Sequence, residues 1–219
     1  MSFIRISHRG DHHHYLENSL EAFQSAYQKG LHAFETDIRL TKDKKAVLFH
    51  DSTLQRLFQN NKKIESLTFS EFKAFSTAKA HLISLEELFI NFPKAYFNLE
   101  LKVDAIKEVA QLIQKYKMQK KVVISSFSGP LIASVKSILP HIPTGQLSKI
   151  GYGAVSNALR YHADMIIVHN NALRQSHIKK AHKHHLSVWT WPVNTEQRRE
   201  ELKSWNINGM MTDIPELLS

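Results

Sequence analysis

The sequence predicts an α/β protein that folds as a closed (β/α)8 barrel, and three observations lead to this prediction. Strand-like and helix-like segments alternate along the chain, which calls for a parallel sheet with right-handed crossovers. Eight such units fit into 219 residues, a length at which an α/β barrel forms a single domain. A doubly wound open sheet would favour a glycine-rich first turn, and the turn at 8–14, HRGDHHH, is not one. We therefore expect one domain spanning residues 1–219.

Eight barrel strands are predicted from short apolar or alternating runs. They cover residues 3–8, 34–40, 96–102, 121–127, 143–148, 164–170, 187–191 and 209–213. The second strand continues through the polar turn TKDKK into AVLFHD at 46–51. These two segments are expected to form a short β-hairpin, inserted with a loop after strand two.

Helices are predicted between the strands from apolar periodicity and from capping residues. They cover residues 18–30, 68–76, 84–92, 104–117, 129–139, 156–162, 176–185 and 195–205. Asn18 is predicted to cap the first helix, with Glu21 at the capping-box position and Gly30 at its end. Ser84 and Glu87 predict a capping box for the helix that begins near residue 84.

Composition narrows the class of protein and of partner. Hydrophobic residues make up 42% of the chain and charged residues 22%, as in globular proteins. The chain has no cysteine, which excludes disulfides and thiolate metal sites. The formal net charge is +9, but the lysines are scattered rather than gathered in one block. A small anionic substrate is therefore expected, and a specific nucleic-acid partner is not.

The pattern of apolar residues predicts a cytoplasmic protein. The N-terminus has no apolar run of the kind found in signal peptides, and no stretch approaches the roughly 18 apolar residues of a transmembrane helix. Peripheral contact with a membrane and the oligomeric state both stay open at this level.

Acidic side chains project from one face of two predicted strands. Successive side chains of a strand point to opposite faces, so Glu35 and Asp37 share one face, as do Glu100 and Lys102. In a closed parallel barrel the outward face packs on helices and is apolar, and polar residues near the strand ends point into the mouth. The same alternation places His8 there, because it shares a face with two isoleucines of the first strand.

Three carboxylates in one place favour a bound cation. Full ionisation of such a group is costly unless a positive charge lies between its members. Mg²⁺ or Ca²⁺ fits, because both prefer oxygen ligands and no thiolate or paired-histidine motif accompanies the carboxylates. The alternative is an ion network in which Glu35 and Asp37 pair with Lys102 and Arg39. These residues alone leave both interpretations open.

Short sequence motifs that contain these polar residues and others are spread over almost the whole chain. They are HRG at 8–10, EN at 17–18, E-x-D at 35–37, TKD at 41–43, HD at 50–51, NLELK at 98–102, SSF at 125–127, W-x-V-N at 191–194 and TDIP at 212–215. In this order they resemble the glycerophosphodiester phosphodiesterase family, whose fold is a TIM barrel. The resemblance implies a phosphoric diester hydrolase of lipid and glycerol metabolism, which converts a glycerophosphodiester and water into sn-glycerol 3-phosphate and an alcohol.

The resemblance also implies a metal centre and an acid–base pair. Glu35, Asp37 and Glu100 would ligate one divalent metal, Mg²⁺ or Ca²⁺. His8 and His50 would exchange protons with the reacting groups, which histidines do well because they titrate near neutral pH. Which histidine is the acid stays open, as does the choice between direct attack by water and a route through a cyclic phosphate.

Four residues are implied to bind the phosphate or the rest of the substrate. Arg9 and Lys102 would hold phosphate oxygens, and Glu17 and Trp191 would contact the substrate. Asn18 matches the family's EN motif but is equally explained as a helix cap.

Several nearby residues carry two interpretations each. Asp51 either orients the neighbouring histidine or begins a turn, and Phe127 is expected in the core more often than in a pocket. His12–His14 depart from the family pattern and are expected on a solvated loop, with an accessory metal site as the alternative. Trp191 and Asn194 fall at the family's Trp and Asn, and Trp191 either walls the substrate or packs in the core. His169 ends the sixth strand near the mouth, within possible reach of the substrate.

Two rival functions are weighed against the phosphodiesterase. A lysophospholipase-D-like enzyme would cleave a substrate that retains an acyl chain, helped by aromatic residues at the mouth such as Phe58, Trp189 or Trp191. A non-catalytic, anion-binding barrel would use only the net positive charge.

Overall fold

Eight parallel strands close into a barrel, and one further strand extends the sheet. The computed structural model describes residues 3–219. Within that range the strands are β1 (Ile4–His8), β2 (Ala33–Leu40), β3 (Ala46–Leu48), β4 (Tyr96–Leu101), β5 (Val122–Ser126), β6 (Thr144–Ser148), β7 (Met165–His169), β8 (Ser187–Trp191) and β9 (Gly209–Thr212). The barrel order is β1, β2, β4, β5, β6, β7, β8, β9, and β9 pairs with β1. Because β3 runs antiparallel to β2, the predicted TIM barrel and its hairpin insertion are both confirmed.

Helices surround the barrel, and every predicted helix is found. They are α1 (Leu20–Gln28), α2 (Gln55–Phe58), α3 (Phe69–Lys73), α4 (Leu85–Asn91), α5 (Ile106–Lys115), α6 (Gly129–Ile138), α7 (Ala154–Arg160), α8 (Gln175–Lys183) and α9 (Glu196–Ser204). Short 3₁₀ turns cover Ile64–Ser66 and Pro215–Leu217. Among the helices of residues 3–219, not one combines the length and the apolar character that crossing a membrane requires.

The two faces of the strands bury different sets of apolar side chains. Phe34 of β2 faces outward and is fully buried, with its ring centroid 5.3 Å from that of Phe23 and 5.2 Å from that of Phe92. Burial of one such ring contributes about 2–3 kcal/mol. Inside the barrel an apolar layer consists of Ile6, Ala33, Leu147, Met165, Ile167, Trp189 and Met211. This apolar layer lies inside the barrel, beneath the polar residues at the carboxyl ends of the strands.

Residues between β3 and α4 form a small core of their own. Its buried members are Val47, Phe49, Leu54, Ile64, Leu67, Phe72 and Leu82. Phe58 packs here, with its ring centroid 6.4 Å from that of Phe49 and 5.6 Å from that of Phe75. The prediction of Phe58 at the mouth was therefore wrong. That of Trp189 was wrong too, because its side chain alternates into the apolar layer of the barrel.

The predicted cap of α1 was wrong by one residue. Ser19 is the cap, and its Oγ accepts a hydrogen bond from the Ala22 N–H at 3.2 Å. Asn18 has a φ of +59° and points to the barrel instead, while Glu21 accepts from the His81 N–H at 2.9 Å. Asparagine and serine are both good caps, so local sequence could not choose between them. The capping box of α4, built from residues 84 and 87, is confirmed.

Candidate active site

The carboxyl ends of the barrel strands surround a cleft of about 1090 Å³. Seven of the nine predicted site residues line it, namely His8, Arg9, Glu35, His50, Glu100, Lys102 and Trp191. Asp37 is fully buried and contacts Arg9 and Lys102 of the lining. Glu17 contacts Arg9 at 3.4 Å. The fold thus gathers at one end residues that are spread over most of the sequence.

Arg9 enters the site because Gly10 lets the loop after β1 approach α1 closely. Gly10 has a φ of +80°, and a Cβ there would lie 2.6 Å from the carbonyl carbon of Ala22. Only glycine tolerates both conditions. Arg9 itself adopts a φ of +57°, and its N–H donates to the carbonyl oxygen of Glu35 at 3.0 Å. That bond ties the loop to β2.

The three predicted carboxylates meet as the alternation of β2 and β4 predicts. Asp37 and Glu100 are direct partners in the register of these strands. One oxygen from each of Glu35, Asp37 and Glu100 lies within 4.8 Å of the other two. All three side chains are buried, so the carboxylates face one another rather than water.

Each of these carboxylates offers one oxygen without a hydrogen-bond partner among residues 3–219. The atoms are Glu35 Oε2, Asp37 Oδ1 and Glu100 Oε1, and all are buried. Two of them, Asp37 Oδ1 and Glu100 Oε1, nevertheless lie in ion pairs with the Lys102 ammonium. One ammonium does not balance three buried carboxylates, so their convergence favours a further cation. An all-oxygen ligand set fits Mg²⁺ or Ca²⁺. The residues present therefore fit the metal centre that the family resemblance implies.

Two cationic side chains compensate part of the negative charge. Arg9 Nε lies 3.1 Å from Asp37 Oδ2, and Lys102 Nζ lies 3.1 Å from Asp37 Oδ1 and forms an ion pair with Glu100. The ion network considered from the sequence is thus present in part. Arg39 forms no ion pair with these carboxylates among residues 3–219; its Nε and Nη2 donate to the carbonyl oxygen of His50 at 3.0 and 2.8 Å.

The surroundings shift the pKa values of the three carboxylates in different directions. Burial and the charge of Asp37 raise the pKa of Glu35 well above its ordinary value, and the same two causes raise the pKa of Glu100. Burial also opposes ionisation of Asp37, but Arg9 and Lys102 outweigh it and lower its pKa. Three acidic groups face two fixed cations, so a divalent ion would let all three ionise together.

His8 is oriented by a residue to which the sequence analysis assigned no role. Its Nδ1 lies 2.6 Å from Asp213 Oδ1, and its Nε2 lies 3.7 Å from Glu35 Oε2. A carboxylate only accepts, so Nδ1 carries the hydrogen in the neutral ring. Asn194 holds Asp213 in turn, donating from Nδ2 to Oδ2 at 2.5 Å. Burial would raise the pKa of Asp213, but the hydrogen bond with His8 lowers it.

The signal for Asp213 was present in the TDIP and W-x-V-N motifs, whose side-chain roles depend on barrel closure. Pairing of β1 with β9 places Ser7 opposite Thr212. The next residue of each strand therefore comes into contact, although they lie 205 positions apart in the sequence.

His50, which follows β3, has the same arrangement as His8. Its Nδ1 lies 2.7 Å from Asp51 Oδ1, and Asp51 accepts from Arg56 Nε at 2.6 Å. Of the two interpretations of Asp51, the orienting role is therefore supported. Burial lowers the pKa of His50 despite the opposing charge of Asp37. The imidazole is thus neutral at neutral pH, with Nδ1 engaged and Nε2 left for the cleft.

Glu17 is engaged by arginines. Arg56 donates to its two carboxylate oxygens at 2.6 and 3.0 Å, and Arg9 approaches at 3.4 Å. Burial would raise the pKa of Glu17, but the Arg56 hydrogen bonds lower it. Asn18 lies beneath this pair, donating to Asp37 Oδ2 at 2.9 Å and accepting from Thr36 Oγ1 at 2.7 Å.

Aromatic and basic side chains form the opposite wall of the cleft. The Trp191 ring centroid lies 5.9 Å from that of His8, 5.0 Å from that of His169 and 6.1 Å from that of Phe127. Phe127 is 39% exposed, so the expectation that it belongs to the core was wrong. It lies at the rim, where Lys149 also lines the cleft.

The loop carrying His12–His14 differs from the expected solvated loop. His12 turns inward, with Nε2 2.9 Å from Asp213 Oδ1, and His14 Nδ1 lies 2.9 Å from Asp11 Oδ1. Asp11 is fully buried. Two buried or half-buried carboxylates therefore hold part of a loop that its composition alone suggests is free.

Comparison with known proteins identifies the family of the chain. Residues 8–94 and 90–217 match the Glycerophosphoryl diester phosphodiesterase family. The whole chain is 26% identical to a glycerophosphodiester phosphodiesterase of Caldanaerobacter subterraneus, over 97% of that protein. The crystal structure of the Thermotoga maritima glycerophosphodiester phosphodiesterase is 29% identical, with a TM-score of 0.85, over 100% of this chain and 97% of that one. An Oleispira antarctica phosphodiesterase, solved with the product sn-glycerol-3-phosphate, has the same fold at 21% identity, with a TM-score of 0.90 over 97% of this chain and 94% of that one. The chain therefore belongs to the glycerophosphoryl diester phosphodiesterase family and is a phosphodiesterase.

Proposed function

We propose that this protein hydrolyses glycerophosphodiesters to sn-glycerol 3-phosphate and an alcohol, with the help of one divalent metal, Mg²⁺ or Ca²⁺. One observation carries the proposal. Three buried carboxylates, whose charge Arg9 and Lys102 offset only in part, converge within 4.8 Å of one another in a cleft that two histidines also line. The product named for the Oleispira relative supports the choice of substrate. Membership of a phosphodiesterase family is at odds with the alternative of a non-catalytic, anion-binding barrel.

Arg9 and Lys102 are proposed to hold the phosphate. Both line the cleft, and both have a raised pKa despite burial because acidic side chains surround them. They stay charged throughout the neutral range and can donate to non-bridging phosphate oxygens. Glu17 contributes by holding Arg9 and Arg56 in place rather than by touching the phosphate, while Trp191 would wall the substrate.

Glu35, Asp37 and Glu100 are proposed to hold the metal. When bound, a divalent cation neutralises charge on the phosphate and acts as a Lewis acid. The protein's own contribution is a buried site in which the three oxygens already face one another. Such preorganisation means that little reorganisation is needed during the reaction.

The two histidines are proposed to transfer protons. His50, which burial keeps neutral, accepts the proton of the attacking hydroxyl, either from water or from the glycerol moiety in a cyclic-phosphate route. His8, when it carries a proton on Nε2 as well as on Nδ1, donates the Nε2 proton to the leaving alkoxide and is left as the neutral ring. In both rings the neighbouring carboxylate holds Nδ1 and leaves Nε2 to exchange protons. General acid–base catalysis of this kind contributes about 10²–10⁴-fold.

The test is release of glycerol 3-phosphate from a panel of glycerophosphodiesters, with EDTA or with added Mg²⁺ or Ca²⁺. We expect turnover that depends on the metal, is lost in Glu35→Ala and is retained in Glu65→Ala, a matched change at an exposed glutamate. Turnover that survives EDTA and Glu35→Ala would refute the metal role. A folded, metal-loaded protein that turns over none of these diesters would refute the substrate.

A lysophospholipase-D-like activity is the second candidate, because apolar side chains are exposed beside the cleft. Phe127 is 39% exposed, and Ile150 and Tyr152, on the loop after β6, are 63% and 91% exposed. These side chains could contact an acyl chain or a membrane surface. Faster turnover of lysophosphatidylcholine than of glycerophosphocholine, lost selectively in Ile150→Ser, would favour this candidate.

A further inference from the structure

A second cluster of metal-ligating atoms lies where the loop after β1 meets the end of β9. His8 Nδ1 and His12 Nε2 both approach Asp213 Oδ1, at 2.6 and 2.9 Å. One ligand atom from each of the three residues lies within 4.8 Å of the others. None of the three belongs to the carboxylate set formed by residues 35, 37 and 100.

The contacts within this cluster leave one ring nitrogen unsatisfied. His12 Nε2 is buried and makes no hydrogen bond within the part of the chain that the structure describes, although it lies so close to Asp213. Two imidazoles therefore converge on a single carboxylate oxygen, and only His8 is aligned to bond with it. A cation between the three atoms would use the unsatisfied nitrogen lone pair.

The carboxylate at the centre of the cluster is held in position. Asn194 donates to Asp213 Oδ2 at 2.5 Å and accepts from the Asp213 N–H at 3.0 Å. Supporting hydrogen bonds of this kind orient metal ligands and strengthen binding. Oδ1 is thereby left to point toward the two histidines.

We propose that His8, His12 and Asp213 form a site for a transition-metal ion, with Zn²⁺ as the preferred ion under physiological conditions. Two imidazole nitrogens and one carboxylate oxygen are typical zinc ligands, and a fourth position can be taken by water. Mg²⁺ and Ca²⁺ prefer all-oxygen sets, so this site and the carboxylate site select different metals.

A similar cluster elsewhere on the same loop does not have these properties. Asp11, His14 and Glu216 also lie close together. There Lys29 pairs with both Asp11 and Glu216, so an ammonium group already supplies the positive charge. His14 is consequently a suitable control position for the site that contains His12.

Occupation of the site would inhibit the enzyme, a consequence that rests on the proposed role of His8. Without the ion, Nδ1 carries a hydrogen toward Asp213 and Nε2 is free to exchange protons. An ion on Nδ1 takes that lone pair, so the hydrogen of the neutral ring must sit on Nε2. The ring can then no longer become an imidazolium, and the proton-donor role proposed for His8 is blocked.

The binding test is calorimetric titration of the full chain with Zn²⁺ in an excess of Ca²⁺, beside His12→Gln and His14→Gln. We expect one equivalent of Zn²⁺ to bind wild type and His14→Gln alike, and at least about tenfold weaker binding to His12→Gln. Co²⁺ should give the intense visible bands of a four-coordinate site in the same two proteins. Equal affinity of wild type and His12→Gln, or no binding to wild type, would overturn the proposal.

Two further measurements separate folding and function from binding. Thermal unfolding checks that His12→Gln is folded. His12→Cys, which supplies another zinc ligand, should restore binding. The Zn²⁺ concentration that halves diester turnover should be at least about tenfold higher for His12→Gln than for wild type, in line with its weaker binding. If Zn²⁺ binds in this residue pattern but no diester is hydrolysed, the metal site stands and the proposed substrate falls. If diesters are hydrolysed but Zn²⁺ does not bind, the proposed substrate stands and the metal site falls.

Discussion

Glu35→Gln is expected to abolish metal binding and at the same time to stabilise the metal-free protein at high pH. The Glu35 carboxyl is buried beside Asp37 and Glu100, and burial together with the Asp37 charge raises its pKa well above the ordinary 4.5. Glutamine has nearly the same shape but no charge. The substitution therefore removes a metal ligand and also removes an ionisation that the folded state disfavours.

The sign of the pH dependence follows from linkage. Between pH 4.5 and the raised pKa of Glu35, the folded protein binds more protons than the unfolded chain. Its stability consequently falls as the pH rises through this window and stays low above it. The raised pKa of Glu100 acts in the same direction. Glu35→Gln should therefore lose less stability than wild type as the pH rises, because residue 35 no longer ionises.

The magnitudes are large enough to measure. Replacing buried ionic groups by uncharged residues of similar volume is neutral or stabilising, by up to about 4 kcal/mol. A metal at 100 times its Kd stabilises the wild type by about 2.7 kcal/mol, which raises the Tm of a chain of this size by about 5–11 °C. We expect this metal-induced rise in wild type and in Glu65→Gln, and none in Glu35→Gln.

The assay is thermal unfolding at pH 6 and pH 9, with EDTA or with saturating Ca²⁺ or Mg²⁺. Two results would refute the reasoning. One is a metal-induced rise in Tm for Glu35→Gln equal to that of wild type. The other is a metal-free Glu35→Gln that is less stable than metal-free wild type at pH 9.

Three further predictions concern other parts of the molecule. Asp51→Asn should lower kcat by up to about 10²-fold and alter the pH–rate profile, because the amide no longer fixes Nδ1–H of His50; an unchanged pH–rate profile would contradict the orienting role. Phe34→Ala should lower the free energy of unfolding in urea by about 3–5 kcal/mol, because its ring is fully buried; a loss below about 1 kcal/mol would show that the neighbouring rings close the cavity. Hydrogen bonds with Lys115 and Lys45 lower the pKa of Glu86 from 4.5 to about 2. Glu86 therefore contributes stability above pH 4.5 that is lost as the pH falls toward 2. The stability of Glu86→Gln should consequently decline less steeply in acid than that of wild type. Equal acid slopes for the two proteins would contradict this.

Much of the candidate site could be predicted from local sequence. Alternation within a strand is a local property, so Glu35 and Asp37 could be placed on one face, and Glu100 on the matching face of β4. His50 and Asp51 are adjacent in the chain, and their interaction needs only a suitable rotamer. For such residues the chain itself keeps the partners within reach.

Other interactions depend on long-range closure of the barrel. The contact of His8 with Asp213 forms because the first and last strands pair, and a pattern within either strand does not reveal it. His12 stands out in the sequence only as part of the HHH run, and its contact with Asp213 depends on the position of the last strand. Asn18 was misassigned as a cap because its buried partner, Asp37, is 19 residues away.

The sequence by itself determined the order of strands and helices, the apolar and polar faces of each strand and the family motifs. These depend on backbone periodicity and on neighbouring residues. Only the tertiary structure decided which charges meet, which carboxylate oxygens converge and which histidine nitrogen faces the cleft. Those outcomes depend on distances of a few ångströms between side chains from different strands, and on how far the closed barrel removes them from water.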